Sequence, residues 1–292
     1  MNVIVCIPAF NEEKIIGNLV KDCLNYCDSV LVCDDGSFDN TFDNAKKSGA
    51  TVIKHSKNKG KGAALKTLFE YVVQNDFDTV ITIDGDGQFL PSEIPKLVTT
   101  IRENNFDIVV GNRFNSKSEM PKYRQIGNSL LDKITNLASD SSLSDTQSGF
   151  RSYSKQAIKK ISFNNDGFAA DSEILVDAIK NNLKIGAVNV TVLYKTGTKT
   201  STMNPFSHTV RVVSSLVELI SLRRPLLFIG VPSIFFVFLG IYFLVNVAIL
   251  FNETRYFSVP STVLSVVTLS IGLIFFMMSI ILFSISKIHK IR

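Results

Sequence analysis

The chain has 292 residues, enough for a full globular domain and something beyond it. Hydrophobic residues make up 46% and the net charge at pH 7 is +5, with the apolar excess gathered at the C-terminal end and much of the positive charge beside it. That arrangement argues against a nucleic-acid binder and suits an anionic membrane surface.

In chain order, Asn2–Pro8 reads as a buried strand and Asn11–Tyr26 as a helix, with Ile15, Ile16, Leu19, Val20 and Leu24 at helical spacing. Ser29–Cys33 is a second strand, closed by Asp34-Asp35-Gly36-Ser37. A helix over Asn40–Ser48 and a strand over Thr51–His55 follow. The basic loop Lys57–Gly62 leads into a helix over Ala63–Gln74. Thr79–Ile83 is a strand, Pro91–Glu103 a helix and Asp107–Gly111 a further strand. This alternation predicts an α/β fold with a right-handed, mostly parallel sheet. Ligands of such sheets bind beyond the carboxyl ends of the strands, where residues 9–12, 34–37, 57–62 and 84–88 all fall.

The strand at 79–83 delivers Asp84 and Asp86 to its end. On a strand these side chains face opposite ways, but Gly85 and Gly87 let the backbone turn so that both converge. Two hard oxygen donors there form a seat for Mg²⁺ or Mn²⁺ holding a diphosphate. A plain Asp-Gly turn is the alternative from these residues alone. Asp35, beside a glycine at the same edge, is placed to accept a ring N–H of uracil or guanine. The lysines of 57–61, Lys61 among them, can neutralise a pyrophosphate or stand as a solvated loop. The spacing of a P-loop and the G-x-G-x-x-G dinucleotide fingerprint are both absent.

Further on, Lys122–Ser139 reads as helical and carries Arg124. A polar loop over Ser144–Arg151, a helix over Lys155–Ile161 and a helix over Ala169–Asn182 come next. Asp171 and Glu173 stand in the first turn of that last helix, where acids complement the dipole. Lys184–Leu193 alternates like an edge strand, and Lys195–Lys199 is basic. Phe206–Leu222 places Phe206, Val210, Val213, Val217 and Ile220 at helical spacing with His208 elsewhere on the wheel, as in an interfacial amphipathic helix.

No charged residue occurs between Arg224 and Glu253 or between Arg255 and Lys287. Each gap exceeds the roughly 20 residues that cross a bilayer's hydrocarbon core. Two transmembrane helices are expected, at 226–250 and 259–285, joined as an antiparallel hairpin. Arg223 and Arg224 before the pair, and Lys287, His289, Lys290 and Arg292 after it, put both ends in the cytoplasm. The apolar run Val3–Ile7 is too short for a signal segment. The expected organisation is therefore a cytoplasmic domain over 1–205, an interfacial helix over 206–224, a hairpin over 225–286 and a basic tail over 287–292, in a multi-pass protein of the cell or an endomembrane. Cys6, Cys23, Cys27 and Cys33 lack common zinc spacings and read as buried small hydrophobes.

The segments Ile7-Pro8-Ala9-Phe10-Asn11-Glu12-Glu13, Val32-Cys33-Asp34-Asp35-Gly36-Ser37, Asn58-Lys59-Gly60-Lys61-Gly62 and Asp84-Gly85-Asp86-Gly87-Gln88 occur in the order seen in family 2 glycosyltransferases of the GT-A fold, which the chain resembles over about residues 1–225. Gly111-Asn112-Arg113-Phe114 and Asp145-Thr146-Gln147-Ser148-Gly149-Phe150-Arg151 resemble the branch of dolichyl-phosphate mannose synthase and polyprenyl-phosphate glycosyltransferases, although Gln147-Ser148 stands where many members have Pro-Thr. The resemblance implies a nucleoside site lined by Pro8, Phe10, Glu12 and Asp35, with Lys61 on the donor, and a metal, Mg²⁺ or Mn²⁺, held by Asp84, Asp86 and Gln88. It implies an acceptor-phosphate site of Arg113, Arg124, Ser148 and Arg151, with Asp86, Arg113 and Arg124 carrying catalysis. Lys195 and Lys199 lie loosely where the family closes a basic segment over the donor.

The implied reaction is inverting transfer of a hexose from GDP-mannose or a UDP-hexose to dolichyl or polyprenyl phosphate, for glycan assembly such as protein glycosylation. The implied partners are the nucleotide-diphosphate sugar, the lipid phosphate and the bilayer, and a homo-oligomer is left open. Glu173 is the base only if the acceptor is a hydroxyl. A hydroxyl-acceptor enzyme and a catalytically dead membrane subunit are the rival readings. Processive synthases carry Gln-x-x-Arg-Trp, and this chain has no tryptophan.

Overall fold

The structure is a computed structural model that describes residues 2–113, 132, 145–163, 170–193 and 225–291, with side chains through 285. The expected interfacial helix at 206–224 and the calls on Arg124, Lys195, Lys199 and His208 lie outside the described residues. The chain divides into two compact units, residues 1–216 and 217–292.

In the first unit, β1 (Val3–Ala9), β2 (Ser29–Asp34), β3 (Thr51–Lys54), β4 (Thr79–Thr82), β5 (Ile108–Asn112), β6 (Arg151–Ser154) and β7 (Ile185–Asn189) form one seven-stranded sheet in the order β3-β2-β1-β4-β6-β5-β7. The expected mostly parallel α/β sheet is present: β1 to β4 run parallel, as do β5 and β7, and β6 alone runs against both of its neighbours. The order reverses at β1, which has β2 on one side and β4 on the other. A crevice opens at such a reversal, at the carboxyl ends of the strands.

Alternate residues of β1 enter two separate cores. Ile4 and Cys6 pack with Leu65, Leu68 and Phe69 of α3 (Lys61–Gln74) and with Ile174 and Leu175 of a later helix. Val5 and Ile7 pack with Ile16, Leu19 and Val20 of α1 (Ile16–Leu24) and with Ile94 and Leu97 of α4 (Ile94–Glu103). Burial on both faces is why the central strands read as continuous apolar runs. The described residues of the unit also include α2 (Thr41–Lys47), α5 (Lys155–Lys160) and α6 (Ala170–Lys180), the last carrying Ile174 and Leu175. The four cysteines are free thiols, three of them buried.

Three boundaries depart from the sequence reading. Helix α1 begins at Ile16 rather than Asn11, because Asn11 sits at φ 57° and the turn after it is tied to the loop following β2. Pro91–Glu93 is a 3₁₀ turn that leads into α4. Strand β6 was expected as the end of a loop; its Arg-Ser-Tyr-Ser sequence has no apolar alternation, and it is a strand because β4 and β5 flank it on both sides.

In the second unit, a π-helical turn (Leu226–Gly230) leads into α7 (Val231–Thr254), which Arg255 ends at φ 55°, and α8 (Val259–Ile291) follows. Leu226–Thr254 and Val259–Ile285 are long and apolar enough to cross a membrane. Gly230 meets Ser279, Gly240 meets Leu269 and Val237 meets Gly272, so the two helices run antiparallel. A Cβ on Gly240 would lie 2.7 Å from the Leu269 nitrogen, so the small residue sets how closely they approach.

Candidate active site

Strands β1, β2, β4 and β5 end at one edge of the sheet. Because β6 runs the other way, it starts there, with Arg151 opposite Thr82. The segment Asp145–Phe150 that precedes β6 therefore lies at the same edge, where it meets Asp84 after β4 and Arg113 after β5.

The loops after β1 and β2 are latched together. The Asn11 N–H donates to Ser37 Oγ (2.9 Å), the Glu12 N–H to Thr41 Oγ1 (2.8 Å) and the Phe38 N–H to Asn11 Oδ1 (3.0 Å). Pro8 lies half-buried at the end of β1, and the Phe10 ring meets Phe38 edge to face at 6.2 Å. Asp35 is buried. Its Oδ1 accepts the Lys59 N–H (3.0 Å) and lies 2.7 Å from His55 Nδ1, and its Oδ2 accepts the Gly60 N–H (2.7 Å). Since a carboxylate offers about four acceptor positions, these contacts leave one on Oδ2. His55, which the sequence reading did not single out, is itself fixed by Thr67 Oγ1 at 2.9 Å.

After β4, Asp84 lies 2.7 Å from Lys61 Nζ, and that ammonium also reaches Asp171 of α6 at 2.8 Å. Burial opposes the Lys61 charge, but Asp171 and Asp84 together hold its pKa above the ordinary lysine range. Gly149 abuts Asp84 so closely that a Cβ there would lie 2.3 Å from Oδ1. Asp86 Oδ1 accepts the Gln88 N–H at 3.1 Å, and Gln88 is buried. Burial, and then the Asp84 charge, push the Asp86 carboxyl up to about 6. Glu12 belongs to the same anionic group: burial, then Asp86, Asp39 and Asp84, push it up to about 8.

Arg113, just past β5, grips Asp145 with both branches of its guanidinium. Nε lies 2.8 Å from Oδ2, Nη2 lies 2.5 Å from Oδ1, and the Arg113 backbone N–H donates to the same carboxylate at 2.7 Å. Asp145 is fully buried at φ 56°, its own N–H donates to Asp132 Oδ2 (2.9 Å), and the Thr146 N–H donates to Asp132 Oδ1 (2.7 Å). The positive charges of Lys61 and then Arg113 act against the rise of the Asp86 carboxyl.

Arg151 and Ser148, expected at an acceptor phosphate, are both fully buried. The Arg151 guanidinium donates to the carbonyls of Ser148 (2.8 Å), Asp171 (2.9 Å) and Thr146 (2.8 Å), so three of its five donors brace the loop before β6 and tie it to α6. Of the two acids in the first turn of α6, it is Asp171, not Glu173, that reaches Lys61. Asp171, Asp145, Asp132 and His55 were missed as site residues. Asp145 could have been found, since it opens a motif already quoted; Asp171 stands 110 residues from its partner and carries no local signal.

Asp84 and Asp86 are hard oxygen donors suited to a divalent cation. Among the described residues no group of three or more His, Cys, Asp or Glu is disposed to hold a metal by itself. Such a pair would hold Mg²⁺ or Mn²⁺ through carboxylate oxygens and would leave positions on the cation for oxygens of a ligand.

Residues 4–162 match the family model described as Glycosyl transferase family 2. The chain is 34% identical over 215 residues to a UDP-N-acetylglucosamine–dolichyl-phosphate N-acetylglucosaminyltransferase of Methanococcus voltae, covering 66% of this chain and 86% of that protein. It is 28% identical over 218 residues to a dolichyl-phosphate hexose transferase of Haloferax volcanii, covering 73% and 92% respectively. Among solved structures it resembles glucosyl-3-phosphoglycerate synthase of Mycobacterium tuberculosis in complex with Mn²⁺, UDP-glucose and phosphoglyceric acid, with a TM-score of 0.59, 19% identity, and coverage of 75% of this chain and 80% of that one.

Proposed function

The chain belongs to glycosyl transferase family 2 and is a glycosyltransferase, and from that premise we propose that it moves a hexose unit from a nucleotide-diphosphate sugar, a UDP-hexose or GDP-mannose, to dolichyl or polyprenyl phosphate at a membrane surface, for use in glycan assembly. One observation carries the reading: the Asp84–Asp86 pair and the Arg113–Asp145 pair share one sheet edge, in a chain with two helices long enough to span a bilayer. The names of the Methanococcus voltae and Haloferax volcanii relatives support the lipid-phosphate acceptor.

In this reading the latched loops at Phe10 and Asp35 hold the nucleoside, the base N–H taking the remaining acceptor position on Asp35. Asp84 and Asp86, with Gln88 beside them, hold Mg²⁺ or Mn²⁺, which when bound neutralises charge on the departing diphosphate. Lys61 supplies a second positive charge on the donor side. Arg113, held rigid by Asp145, and Arg124 position the acceptor phosphate. That phosphate is already ionised at neutral pH, so its oxygen attacks the anomeric carbon without a general base. The bond to the nucleoside diphosphate breaks as the new bond forms on the opposite face, inverting the configuration, and no proton changes hands. Glu173 then has no catalytic duty. Arg151 and Ser148 support the loop rather than the acceptor. The basic residues flanking the spans orient the catalytic unit and both chain ends toward the cytoplasm.

The test is incubation of the full chain with labelled UDP- and GDP-sugars, Mg²⁺ and either polyprenyl phosphate or polyprenol. Chloroform-soluble label is expected with the phosphate alone, and the active nucleotide identifies the donor. Equal labelling of polyprenol would favour a hydroxyl acceptor and return Glu173 to consideration as the base.

A further inference from the structure

Lys61 serves two carboxylates at once. Its side chain is 14% exposed, and Nζ lies 2.7 Å from Asp84 Oδ1 and 2.8 Å from Asp171 Oδ2. Asp171 cannot easily follow the ammonium if it moves. Its side chain is 7% exposed, its carbonyl is fixed by Arg151 Nη1 at 2.9 Å, and the adjacent Ser172 is tied to Gln147. Asp84 is the more open of the two, 27% exposed, with Gly149 against one side of its carboxylate. One cation therefore sits between a confined anion and a more accessible one.

A divalent cation on Asp84 would sit on the same oxygens that Lys61 now neutralises, and two cations at contact distance from one carboxylate repel each other. We propose that Lys61 is an internal counter-ion that competes with the divalent cation for Asp84, and that Asp171 is the positioning residue that retains Lys61 when the cation takes Asp84. The ammonium is then left beside the metal seat, free on one side to meet the donor diphosphate. This rests on the reading of Asp84 and Asp86 as the metal seat. It follows that the cation binds weakly on its own and more tightly with a nucleoside diphosphate, which gives Lys61 another anion, and the coupling must be reciprocal.

The test measures Mn²⁺ binding, by calorimetry or by the paramagnetic signal of free Mn²⁺, to the full chain in detergent without nucleotide. Lys61→Met should bind Mn²⁺ on the order of tenfold more tightly than wild type, as removing one adjacent charge shifts such equilibria by a factor of ten or more. Asp171→Asn should bind it more weakly, because Lys61 then has Asp84 alone. The double variant Lys61→Met/Asp171→Asn, which leaves no unpaired buried carboxylate at Asp171, should follow Lys61→Met. Opposite signs for the two single variants are what a merely structural role cannot produce. If both weaken binding, or if Lys61→Met and the double variant leave it unchanged while Asp86→Ala abolishes it, the counter-ion proposal is overturned and the metal seat stands. If neither wild type nor Lys61→Met binds Mn²⁺, the metal seat falls and the proposal falls with it.

Discussion

Arg113 and Asp145 form a two-pronged ion pair at the edge of the sheet, with Nε 2.8 Å from Oδ2 and Nη2 2.5 Å from Oδ1, and the carboxylate is fully buried. A flat guanidinium seated on a fixed carboxylate keeps its outer edge aimed in one direction. That is what recognition of a phosphate requires.

Replacing Arg113 by Lys removes the fork while keeping the charge. The expected result is a rise of about tenfold or more in the KM for lipid phosphate, with little change in the KM for the sugar donor. Removing the partner is a different injury. Asp145→Ala leaves the Arg113 guanidinium and the Arg113 backbone N–H without their acceptor, and should lower stability by about 3–5 kcal/mol in denaturant unfolding. Steady-state kinetics with each substrate varied in turn checks the first expectation.

Arg151 separates bracing from binding. Its guanidinium satisfies three carbonyls in the interior, and each buried acceptor left unmade costs about 1–3 kcal/mol. Arg151→Leu should therefore lose at least about 3 kcal/mol of stability, seen as a lower unfolding temperature with or without substrate. A variant with wild-type stability but weakened acceptor binding would return Arg151 to the acceptor site.

Much of this arrangement is legible in the sequence. The strands β1, β2 and β4 are apolar runs because both sheet faces are covered, and the glycine-flanked acids at their ends mark the ligand edge. Two features are not legible. Strand β6 lacks any apolar alternation and exists because β4 and β5 bracket it; without it, nothing shows why Asp145–Phe150 returns to the edge. The inward turn of Arg151 is likewise invisible, because an arginine in a polar motif reads as a ligand-binding group until its carbonyl partners are known. Asp171 and Lys61 meet only through the tertiary fold.

Glu12 gives the protein a pH dependence of known sign. Burial, with Asp86, Asp39 and Asp84 around it, raises its carboxyl from an ordinary 4.5 to about 8. The folded protein then holds that proton more tightly than the unfolded chain. The contribution to stability is fully present below the unfolded value and is lost as pH rises through the folded one. In EDTA, the unfolding temperature should fall between about pH 5 and pH 9, and Glu12→Gln should flatten that fall, with its benefit confined to the alkaline end. A decline of the same size in the variant would show that Glu12 does not ionise in this window.

The most direct measurement is the label carried from a nucleotide sugar into chloroform by purified wild-type and Asp86→Ala protein, each supplied with polyprenyl phosphate and either Mg²⁺ or EDTA. Lipid-linked sugar is expected from the wild type with Mg²⁺ alone, and Asp86→Ala should form none above background in either condition. Substantial product from Asp86→Ala in EDTA would contradict the assignment of the Asp84–Asp86 edge as the seat of a metal-assisted sugar transfer.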